Sequence, residues 1–211
     1  MNHDVGGYFE HHSADWDALY GEGAEKLFNR LFRKAIYDRA RIAYDMLAPH
    51  DQRLFLDVGC GSGICSVNLA KHGARVVGVD LSESMLQIAR SRSREAGMAE
   101  SCTYVCGDFL ELNLSDRFAG ALALGVFDYV RDPVRMLRSM ARVTDGRLVV
   151  SFPTPDFPRA PLRKLRYAAQ GCPVFFYSAA RIRDLFAEAG LDDPQLHGLR
   201  GGWLAVANAS A

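Results

Sequence analysis

The chain has 211 residues, 49% of them hydrophobic and 24% charged, which is typical of a single globular domain with a substantial core. The 25 basic and 25 acidic residues give a formal net charge of +0, which argues against binding to a nucleic-acid backbone. No stretch is long and apolar enough to span a membrane and the first residues lack a signal-peptide pattern, so we expect a cytoplasmic protein without a membrane partner.

The N-terminal segment is rich in aromatic and imidazole side chains, namely Tyr8, His11, His12, Trp16 and Tyr20. Ser13 can cap a helix that begins near Ala14. Such a helix would either close over a ligand as a lid or pack its aromatic side chains on the body of the protein.

The following stretch, Glu22 to Ala48, has helical periodicity and ends at Pro49. Its other face carries the cations Arg30, Arg33, Lys34, Arg39 and Arg41. We interpret this face as solvated, with the alternative that one arginine reaches a carboxylate of a ligand.

The most informative stretch is Leu54 to Ser66, which reads LFLDVGCGSGICS. Its apolar start predicts a strand buried on both faces, and the three glycines that follow predict a tight turn. A helix predicted at Ser62 to Lys71 would point its N-terminal N–H groups at the same place, as in a nucleotide-binding turn. A second predicted strand, Arg75 to Val79, ends at Asp80, where a carboxylate can accept hydrogen bonds from two ribose hydroxyls.

The glycine spacing separates two kinds of cofactor. The dinucleotide pattern is G-x-G-x-x-G, whereas this chain has G-x-G-x-G preceded by Asp57. An acidic residue there would repel a phosphate and suits a ligand with an ammonium group. S-adenosylmethionine is such a ligand.

The remaining elements alternate between helices and strands along the chain. We predict helices from Ser82 to about Ala96, at Asp132 to Val143, at Leu162 to Ala169 and at Ala179 to Ala189, and strands at Ser101 to Cys106, Phe118 to Leu124, Gly146 to Phe152, Leu191 to Gly198 and Gly202 to Asn208. Arginines at positions 90, 92 and 94 should point outward. The proline-rich loop after Phe152 leads into a basic and then aromatic segment, which suggests either a pocket for an aromatic or acidic small molecule or solvated cations beside packed aromatic side chains.

These motifs resemble those of the class I, Rossmann-like, S-adenosylmethionine-dependent methyltransferases of the small-molecule type. The resemblance rests on DVGCGSG from Asp57 to Gly63, VVGVDLS around Asp80, Gly107-Asp108-Phe109, and the loop after Leu124. It implies an α/β fold with a doubly wound, mostly parallel seven-stranded sheet, a C-terminal antiparallel hairpin and an N-terminal helical lid. Residues 1–49 would form the lid, 50–152 the cofactor-binding core, 153–177 a substrate-side insertion and 178–211 the last helix and strands of one domain.

The resemblance also assigns roles to residues. Asp80 would bind the ribose, Leu81 would lie against the adenine and Asp108 would accept a hydrogen bond from the adenine amino group. The implied cofactor-binding residues are Asp57, Gly59, Cys60, Gly61, Gly63, Asp80, Leu81, Met85, Gly107, Asp108, Phe109, Leu124 and Gly125. The chain departs from the pattern at Ala119 and Gly120, where an aspartate is common, and at Tyr129, where many relatives carry a histidine.

The implied reaction is methyl transfer from S-adenosylmethionine to an oxygen, nitrogen or carbon nucleophile of a small molecule by in-line displacement, with S-adenosylhomocysteine as product. A general base is needed only for a protonated acceptor, and the catalytic candidates are His11, His12 and Tyr129, with Asp128 and His197 as weaker ones. We expect no metal and a monomer or homodimer.

Two alternatives stay open, a protein that binds the cofactor without catalysis and a nicotinamide-dependent oxidoreductase, although the glycine spacing and Asp57 disfavour the second. The five cysteines, Cys60, Cys65, Cys102, Cys106 and Cys172, have no CxxC spacing, so we expect buried free thiols and neither disulfides nor a zinc site.

Overall fold

A computed structural model describes Gly7, Glu10 and residues 39–47, 51–156 and 174–209. Its strands are β1 (Leu54–Val58), β2 (Arg75–Asp80), β3 (Cys102–Cys106), β4 (Phe118–Ala123), β5 (Thr144–Pro153), β6 (Gln195–Leu199) and β7 (Gly202–Asn208). Its helices are α1 (Ile64–Lys71), α2 (Glu83–Glu95), α3 (Pro133–Arg142) and α4 (Ala179–Ala189), with a short 3-10 helix at Ala99–Ser101. Gly7, Glu10 and residues 39–47 are also helical.

The strands form one seven-stranded sheet in the order β3-β2-β1-β4-β5-β7-β6. The first five are parallel, whereas β7 runs antiparallel to both β5 and β6. The predicted fold is therefore confirmed, including the C-terminal hairpin. The chain leaves β1 toward β2 on one side and returns to β4 on the other, so a crevice opens at the carboxyl ends of β1 and β4, where sheets of this kind bind ligands.

Helices on both faces of the sheet explain why β1 is apolar apart from Asp57. Phe55 packs on one face against Leu47 of segment 39–47 and Leu69 of α1. Leu56 points to the other face, where the core includes side chains of α3 and α4. Each such buried side chain contributes about 1.5–3 kcal/mol, so both cores stabilise the strand that leads into the glycine turn.

The helix ends follow the capping residues of the sequence. Ser82, Asp132 and Ser178 accept hydrogen bonds from the backbone N–H groups of Met85, Arg135 and Arg181. Gly190 ends α4 with a left-handed φ of 77°. In contrast, α1 begins after Gly63 without a side-chain cap, two residues later than predicted, because Gly61 to Gly63 belong to the turn.

Two other predicted elements need a correction or fall outside the description. β6 begins at Gln195 and not at Leu191, because Pro194 cannot donate to a strand ladder and the Leu191 side chain is buried beside the end of α4. The helix predicted at Leu162 to Ala169 lies outside the described residues. Within the described residues, no helix has the length and apolar character needed to cross a membrane.

The prediction of buried thiols is wrong for one cysteine. Cys60 and Cys102 are buried and Cys65 is half-buried, but Cys106 is exposed, because it ends the edge strand β3. Cys172 lies outside the described residues.

The outward arginines of α2 also need a correction. Arg94 is exposed as predicted, whereas Arg90 and Arg92 are half-buried. Arg90 pairs with Glu83 at 2.6 Å, and Arg92 donates to the Ser62 carbonyl of the glycine turn.

Candidate functional site

The turn between β1 and α1 has three glycines with left-handed backbone, with φ of 65° at Gly59, 51° at Gly61 and 75° at Gly63. Two features disfavour a side chain at Gly59: its left-handed φ, and the 2.4 Å distance from an added Cβ to Cγ2 of Val126. The backbone N–H groups of Gly59 and Cys60 donate to the carbonyl of Val79 at 2.7 and 3.1 Å. The turn is therefore fastened to the end of β2.

The side chain of Asp80, at the end of β2, connects the glycine turn to the start of α2. Its Oδ2 accepts a hydrogen bond of 2.8 Å from the N–H of Gly61, and its Oδ1 accepts one of 3.0 Å from the N–H of Ser82. Burial raises the pKa of Asp80, the backbone hydrogen bonds oppose this, and the nearby charge of Glu10 adds to the rise. Each carboxylate oxygen keeps a second lone pair, so the side chain has capacity for hydroxyl groups of a ligand.

Asp57 lies beneath the turn and is only 2% exposed. The hydroxyl of Ser66, on the first turn of α1, donates to its Oδ2 at 2.7 Å. Burial raises the pKa of Asp57 to about 7, the Ser66 hydrogen bond acts against the rise, and the charge of Asp80 adds to it. Ser66 was missed by sequence reasoning, because a serine in a helix carries no sign of its partner nine residues earlier.

The carboxyl end of β4 lies across the crevice from the glycine turn. The N–H of Gly125 donates to the hydroxyl of Ser151 on β5 at 2.8 Å. Gly125 has a φ of 79°, and a Cβ added there would meet no atom of the described residues within 4 Å. The described part of the chain therefore leaves space on this side of the loop, and Leu124 beside it is half-buried.

The carboxyl end of β3 approaches the same place. The N–H of Gly107 donates to the Asp80 carbonyl at 2.9 Å, and Asp108 accepts from the N–H of Leu110 at 3.0 Å. Of the residues assigned to the cofactor, the ones that lie half-buried at these strand ends are Gly59, Gly61, Asp80, Leu81, Gly107, Asp108, Leu124 and Gly125. The others, Asp57, Cys60, Gly63, Met85 and Phe109, are buried.

The loop after β4 contains one of the catalytic candidates, Tyr129, which is 5% exposed. Residues that precede α4 hold this loop: the Phe175 N–H donates to the Asp128 carbonyl at 2.8 Å, and the Tyr177 hydroxyl donates to the Phe127 carbonyl at 3.2 Å. Burial raises the pKa of Tyr177 to about 12, so its hydroxyl keeps its proton over the physiological range.

Of the other base candidates, Asp128 is buried in the same loop as Tyr129, and His11 and His12 lie outside the described residues. His197 is not brought to this site: it is on β6, the edge strand on the opposite side of the sheet from β3. Its Nε2 is buried and has no hydrogen-bond partner among the described residues. Within the described parts of the chain, no cluster of three or more His, Cys, Asp or Glu side chains has the geometry of a metal site.

Glu10 is a further residue that sequence reasoning missed. Its Oε2 accepts a hydrogen bond of 2.6 Å from the Ser82 hydroxyl, 72 residues later in the chain. The contact places a carboxylate of the N-terminal segment next to the loop that follows Asp80.

Comparison with protein families gives one match over this region. Residues 55–146 match the family model described as a methyltransferase domain. The matched residues run from β1 to β5 and include the glycine turn, Asp80 and the loop after β4.

Related sequences match a similar part of the chain. A ubiquinone biosynthesis O-methyltransferase from Coxiella burnetii is 40% identical over 88 residues, which cover 41% of this chain and 36% of that protein. A protein of the same description from Pseudomonas paraeruginosa is 33% identical over 88 residues, covering 42% of this chain and 38% of its own length. The chain thus matches little more than a third of the length of these relatives.

Solved structures match a larger part of the chain. The magnesium protoporphyrin IX methyltransferase of Synechocystis, crystallised with bound S-adenosylhomocysteine, superimposes with a TM-score of 0.81 at 23% identity, covering 97% of each chain. An S-adenosylmethionine-dependent methyltransferase from Mesorhizobium loti gives a TM-score of 0.67 at 22% identity and covers 81% of this chain and 97% of its own. At this identity the likeness shows a shared fold.

Proposed function

We propose that this chain, whose residues 55–146 match the model of a methyltransferase domain and whose sheet has a Rossmann-like fold, transfers a methyl group from S-adenosylmethionine to a small-molecule acceptor. The observation that carries the proposal is the position of Asp80. Its carboxylate accepts hydrogen bonds from Gly61 and Ser82 at the carboxyl end of β2, next to the crevice at the ends of β1 and β4, and it keeps lone pairs for a ribose.

The residues at the strand ends suit the groups of S-adenosylmethionine. Asp80 would accept hydrogen bonds from the ribose hydroxyls, Leu81 would contact the adenine face, and Asp108 would accept from the adenine amino group. The space beside Gly125 would hold the methionine part, and α1 begins near the turn without a side-chain cap, so the positive end of its dipole faces the ligand. Cys60, Gly63, Met85 and Phe109 would support these contacts from below.

The charge at the site fits a cationic ligand better than a pyrophosphate. Asp57, Asp80 and Glu10 bring three carboxyl groups to the glycine turn. Among the described residues, the groups that act on the pKa of Asp57 and Asp80 include no cation, and the guanidinium of Arg92 donates to the Ser62 carbonyl. S-adenosylmethionine supplies a methyl group on a positively charged sulfur together with an ammonium group. A dinucleotide would instead place negative charge against these carboxyl groups.

The chemical task of the chain is mainly to align the acceptor and to exclude water. An acceptor that carries a proton also needs a base, and we propose His11, His12 or Tyr129 for that role. The relatives named O-methyltransferases favour an oxygen nucleophile among the three kinds of acceptor. The insertion at 153–177 and the segment 1–49 would form the acceptor pocket and lid of this single domain.

We also propose that the protein acts in the cytoplasm as a monomer or homodimer, without a nucleic-acid or membrane partner. The balanced net charge supports the absence of a nucleic-acid partner. The free thiols of Cys60, Cys65, Cys102 and Cys106 suit a reducing compartment.

Isothermal titration of the purified protein with S-adenosylmethionine, S-adenosylhomocysteine and NAD tests the cofactor. We expect micromolar binding of the first two ligands and a rise in Kd of roughly 30- to 300-fold for Asp80→Asn, because charge-assisted hydrogen bonds to the ribose are lost. The matched control is Asp116→Asn, an exposed carboxyl in the loop before β4. A thermal melt of each variant separates lost binding from lost folding.

Each outcome of this titration distinguishes the candidates. Binding of NAD alone would replace the proposal by the oxidoreductase alternative. Tight binding of S-adenosylmethionine without turnover of phenolic, carboxylic or amine acceptors would favour the non-catalytic alternative. An equal Kd for Asp80→Asn and Asp116→Asn in folded proteins would contradict the role of Asp80.

A further inference from the structure

The loop after β4, residues 124–130, lies between the glycine turn and the buried core, and we call it the β4 loop. On one side, Cγ2 of Val126 lies so close to Gly59 that a Cβ added there would be 2.4 Å from it. On the other side, the ring of Phe127 is completely buried, with its centroid 4.8 Å from that of Phe152. The position of this loop therefore depends on contacts with both the glycine turn and the core.

One buried polar contact of the β4 loop is made by Ser151 of β5. This serine is 2% exposed and stands between two buried apolar residues, Val150 and Phe152. A buried hydroxyl costs free energy unless it makes a hydrogen bond, and that of Ser151 accepts one of 2.8 Å from the N–H of Gly125. Gly125 borders the space that we assign to the methionine part of the cofactor. Ser151 thus fixes the backbone on this side of the loop.

A second buried hydroxyl, that of Tyr177, holds the β4 loop two residues further on. Tyr177 is 6% exposed, and its hydroxyl donates a hydrogen bond of 3.2 Å to the carbonyl of Phe127. The N–H of Phe175 donates to the next carbonyl, that of Asp128, at 2.8 Å. These two contacts fix the peptide units that precede Tyr129.

The surroundings of Tyr177 keep its hydroxyl available as a donor. Burial, together with the charge of Asp128, raises the pKa of Tyr177 to about 12. The N–H of Tyr177 donates to the Pro153 carbonyl at 2.9 Å, and its ring packs edge-on against Phe152 with centroids 5.1 Å apart. The end of β5 therefore holds the donor in place through both its backbone and its ring.

We propose that these two hydroxyls position different halves of the β4 loop: Ser151 holds the half that borders the cofactor, and Tyr177 holds the half that presents Tyr129 to the acceptor. Both act through the backbone of the loop and are therefore positioning residues. The inference rests on the proposed function, because S-adenosylmethionine defines the cofactor half. Loss of the Ser151 hydroxyl leaves the Gly125 N–H without its acceptor beside the ligand space. Loss of the Tyr177 hydroxyl instead frees the Phe127 carbonyl two residues further along the loop.

The first measurement is the Kd of S-adenosylhomocysteine by isothermal titration. Ser151→Ala should raise it by about 5- to 30-fold, because the Gly125 N–H loses its acceptor and the cofactor half of the loop loses its position. Tyr177→Phe keeps the ring and should stay within about 3-fold of the wild type. Thr144→Val is the matched control, because it removes another buried hydroxyl of β5, which donates to the Met140 carbonyl at the opposite end of the strand.

A second variant at the same position keeps the test independent of folding. Ser151→Cys fills a similar volume but offers only a weak acceptor, so it should raise the Kd by about 3- to 10-fold. Thermal melts identify which of the variants are folded.

The second measurement is fluorine NMR of the protein labelled with fluorotyrosine, in which Tyr129→Phe identifies the Tyr129 resonance. We expect one resonance for Tyr129 in the wild type, in Ser151→Ala and in Thr144→Val. In Tyr177→Phe this resonance should broaden or divide, because the half of the loop before Tyr129 takes up more than one position. A merely structural role of Tyr177 would lower the Tm and leave the resonance of the folded protein unchanged.

Three results would overturn the inference. A Kd for the folded Ser151 variants within about 2-fold of that for Thr144→Val removes the role of Ser151. An unchanged Tyr129 resonance in Tyr177→Phe removes the role of Tyr177. A Kd that Ser151→Ala and Tyr177→Phe raise equally would show that the loop moves as one unit and has no separate halves.

Failure of the proposed function gives a different result. In that case the wild type binds no S-adenosylhomocysteine, and the role of Ser151 fails with it. The fluorine spectra still test the role of Tyr177, because they need no ligand.

Discussion

The hydroxyl of Ser66 donates a hydrogen bond of 2.7 Å to the carboxylate of Asp57, and this carboxylate is 2% exposed. Within the described part of the chain, the groups that act on the pKa of Asp57 include no cation, so the hydroxyl and the backbone N–H of Ser66 are set against the cost of burying a negative charge. The pKa of Asp57 rises to about 7 as a result. The acidic residue of the glycine motif is thus a source of pH-dependent stability.

Asp57→Asn is expected to stabilise the protein, and more so at higher pH. In the folded protein Asp57 keeps its proton up to a pKa of about 7, whereas in the unfolded chain it loses the proton near 3.8. Because the folded state binds more protons in this window, the contribution of Asp57 to stability falls as the pH rises and stays low above pH 7. The gain in the free energy of unfolding should therefore be larger at pH 8 than at pH 5, by about 1–3 kcal/mol.

Urea unfolding of wild type, Asp57→Asn and the exposed control Asp116→Asn at both pH values measures this difference. The control should show no comparable dependence on pH. A gain for Asp57→Asn that is absent, or equal at the two pH values, would mean that Asp57 is ionised in the folded protein.

Gly59→Ala is expected to destabilise the fold by about 2–4 kcal/mol, because a methyl group there meets both a left-handed backbone and Val126. The double variant Gly59→Ala with Val126→Ala should recover part of this loss relative to Val126→Ala alone, since the contact at 2.4 Å is removed and only the backbone strain is left. Thermal unfolding of the four proteins of this double-mutant cycle gives the coupling. Additive effects would show that the clash does not govern this position.

Gly125→Ala tests whether the ligand occupies the space beside Gly125, because its effect on stability and its effect on binding can be measured separately. An alanine at its φ of 79° should cost about 1 kcal/mol, and none of the described residues has an atom within 4 Å of the added methyl group. The variant should therefore fold, yet bind S-adenosylmethionine more weakly by about 10-fold or more, because the methyl group enters space that we assign to the ligand. The control is the same titration of Gly190→Ala, because Gly190 ends α4 and has a similar left-handed φ of 77°. Equal affinity in both variants would place the ligand elsewhere.

Much of the fold follows from local sequence signals. The strand, glycine turn, helix and second strand from Leu54 to Asp80 are encoded by residues close to one another in the chain, and so are the caps Ser82, Ser178 and Gly190. Because the predicted second strand ends at Asp80, its position alone indicates that the Asp80 carboxylate lies next to the glycine turn. These features were predictable because each depends on a conformation that only a few residue types favour.

The features that could not be predicted depend on contacts between distant residues. The Asp57–Ser66 and Glu10–Ser82 hydrogen bonds join residues nine and 72 positions apart. The sequence around these residues contains no pattern that predicts such partners. The exposure of Cys106 depends on β3 being an edge strand, which is a property of the whole sheet. Arg92 similarly gains its partner, the Ser62 carbonyl, only when α2 packs beside the turn.

The catalytic role is tested last, once an acceptor has been found among phenols, carboxylic acids and amines. If a protonated oxygen is methylated, the variant of the residue that acts as base, among His11→Asn, His12→Asn and Tyr129→Phe, should lower kcat by about 100- to 10,000-fold. The Kd for S-adenosylmethionine should change little in the same variant, because the base touches the acceptor and not the cofactor. Tyr129→Phe keeps the ring in its buried position, so lost turnover there would report the hydroxyl.

The pH dependence of kcat distinguishes the two kinds of base. With a histidine, kcat should rise with pH through about 6.5 and then level off, since the neutral imidazole is the active form. With Tyr129, kcat should keep rising at pH values above the imidazole range, because a phenol ionises at a higher pH than an imidazolium. If all three variants keep kcat within about 3-fold of the wild type, the chain acts on an acceptor that is already deprotonated, and alignment with exclusion of water is its whole contribution.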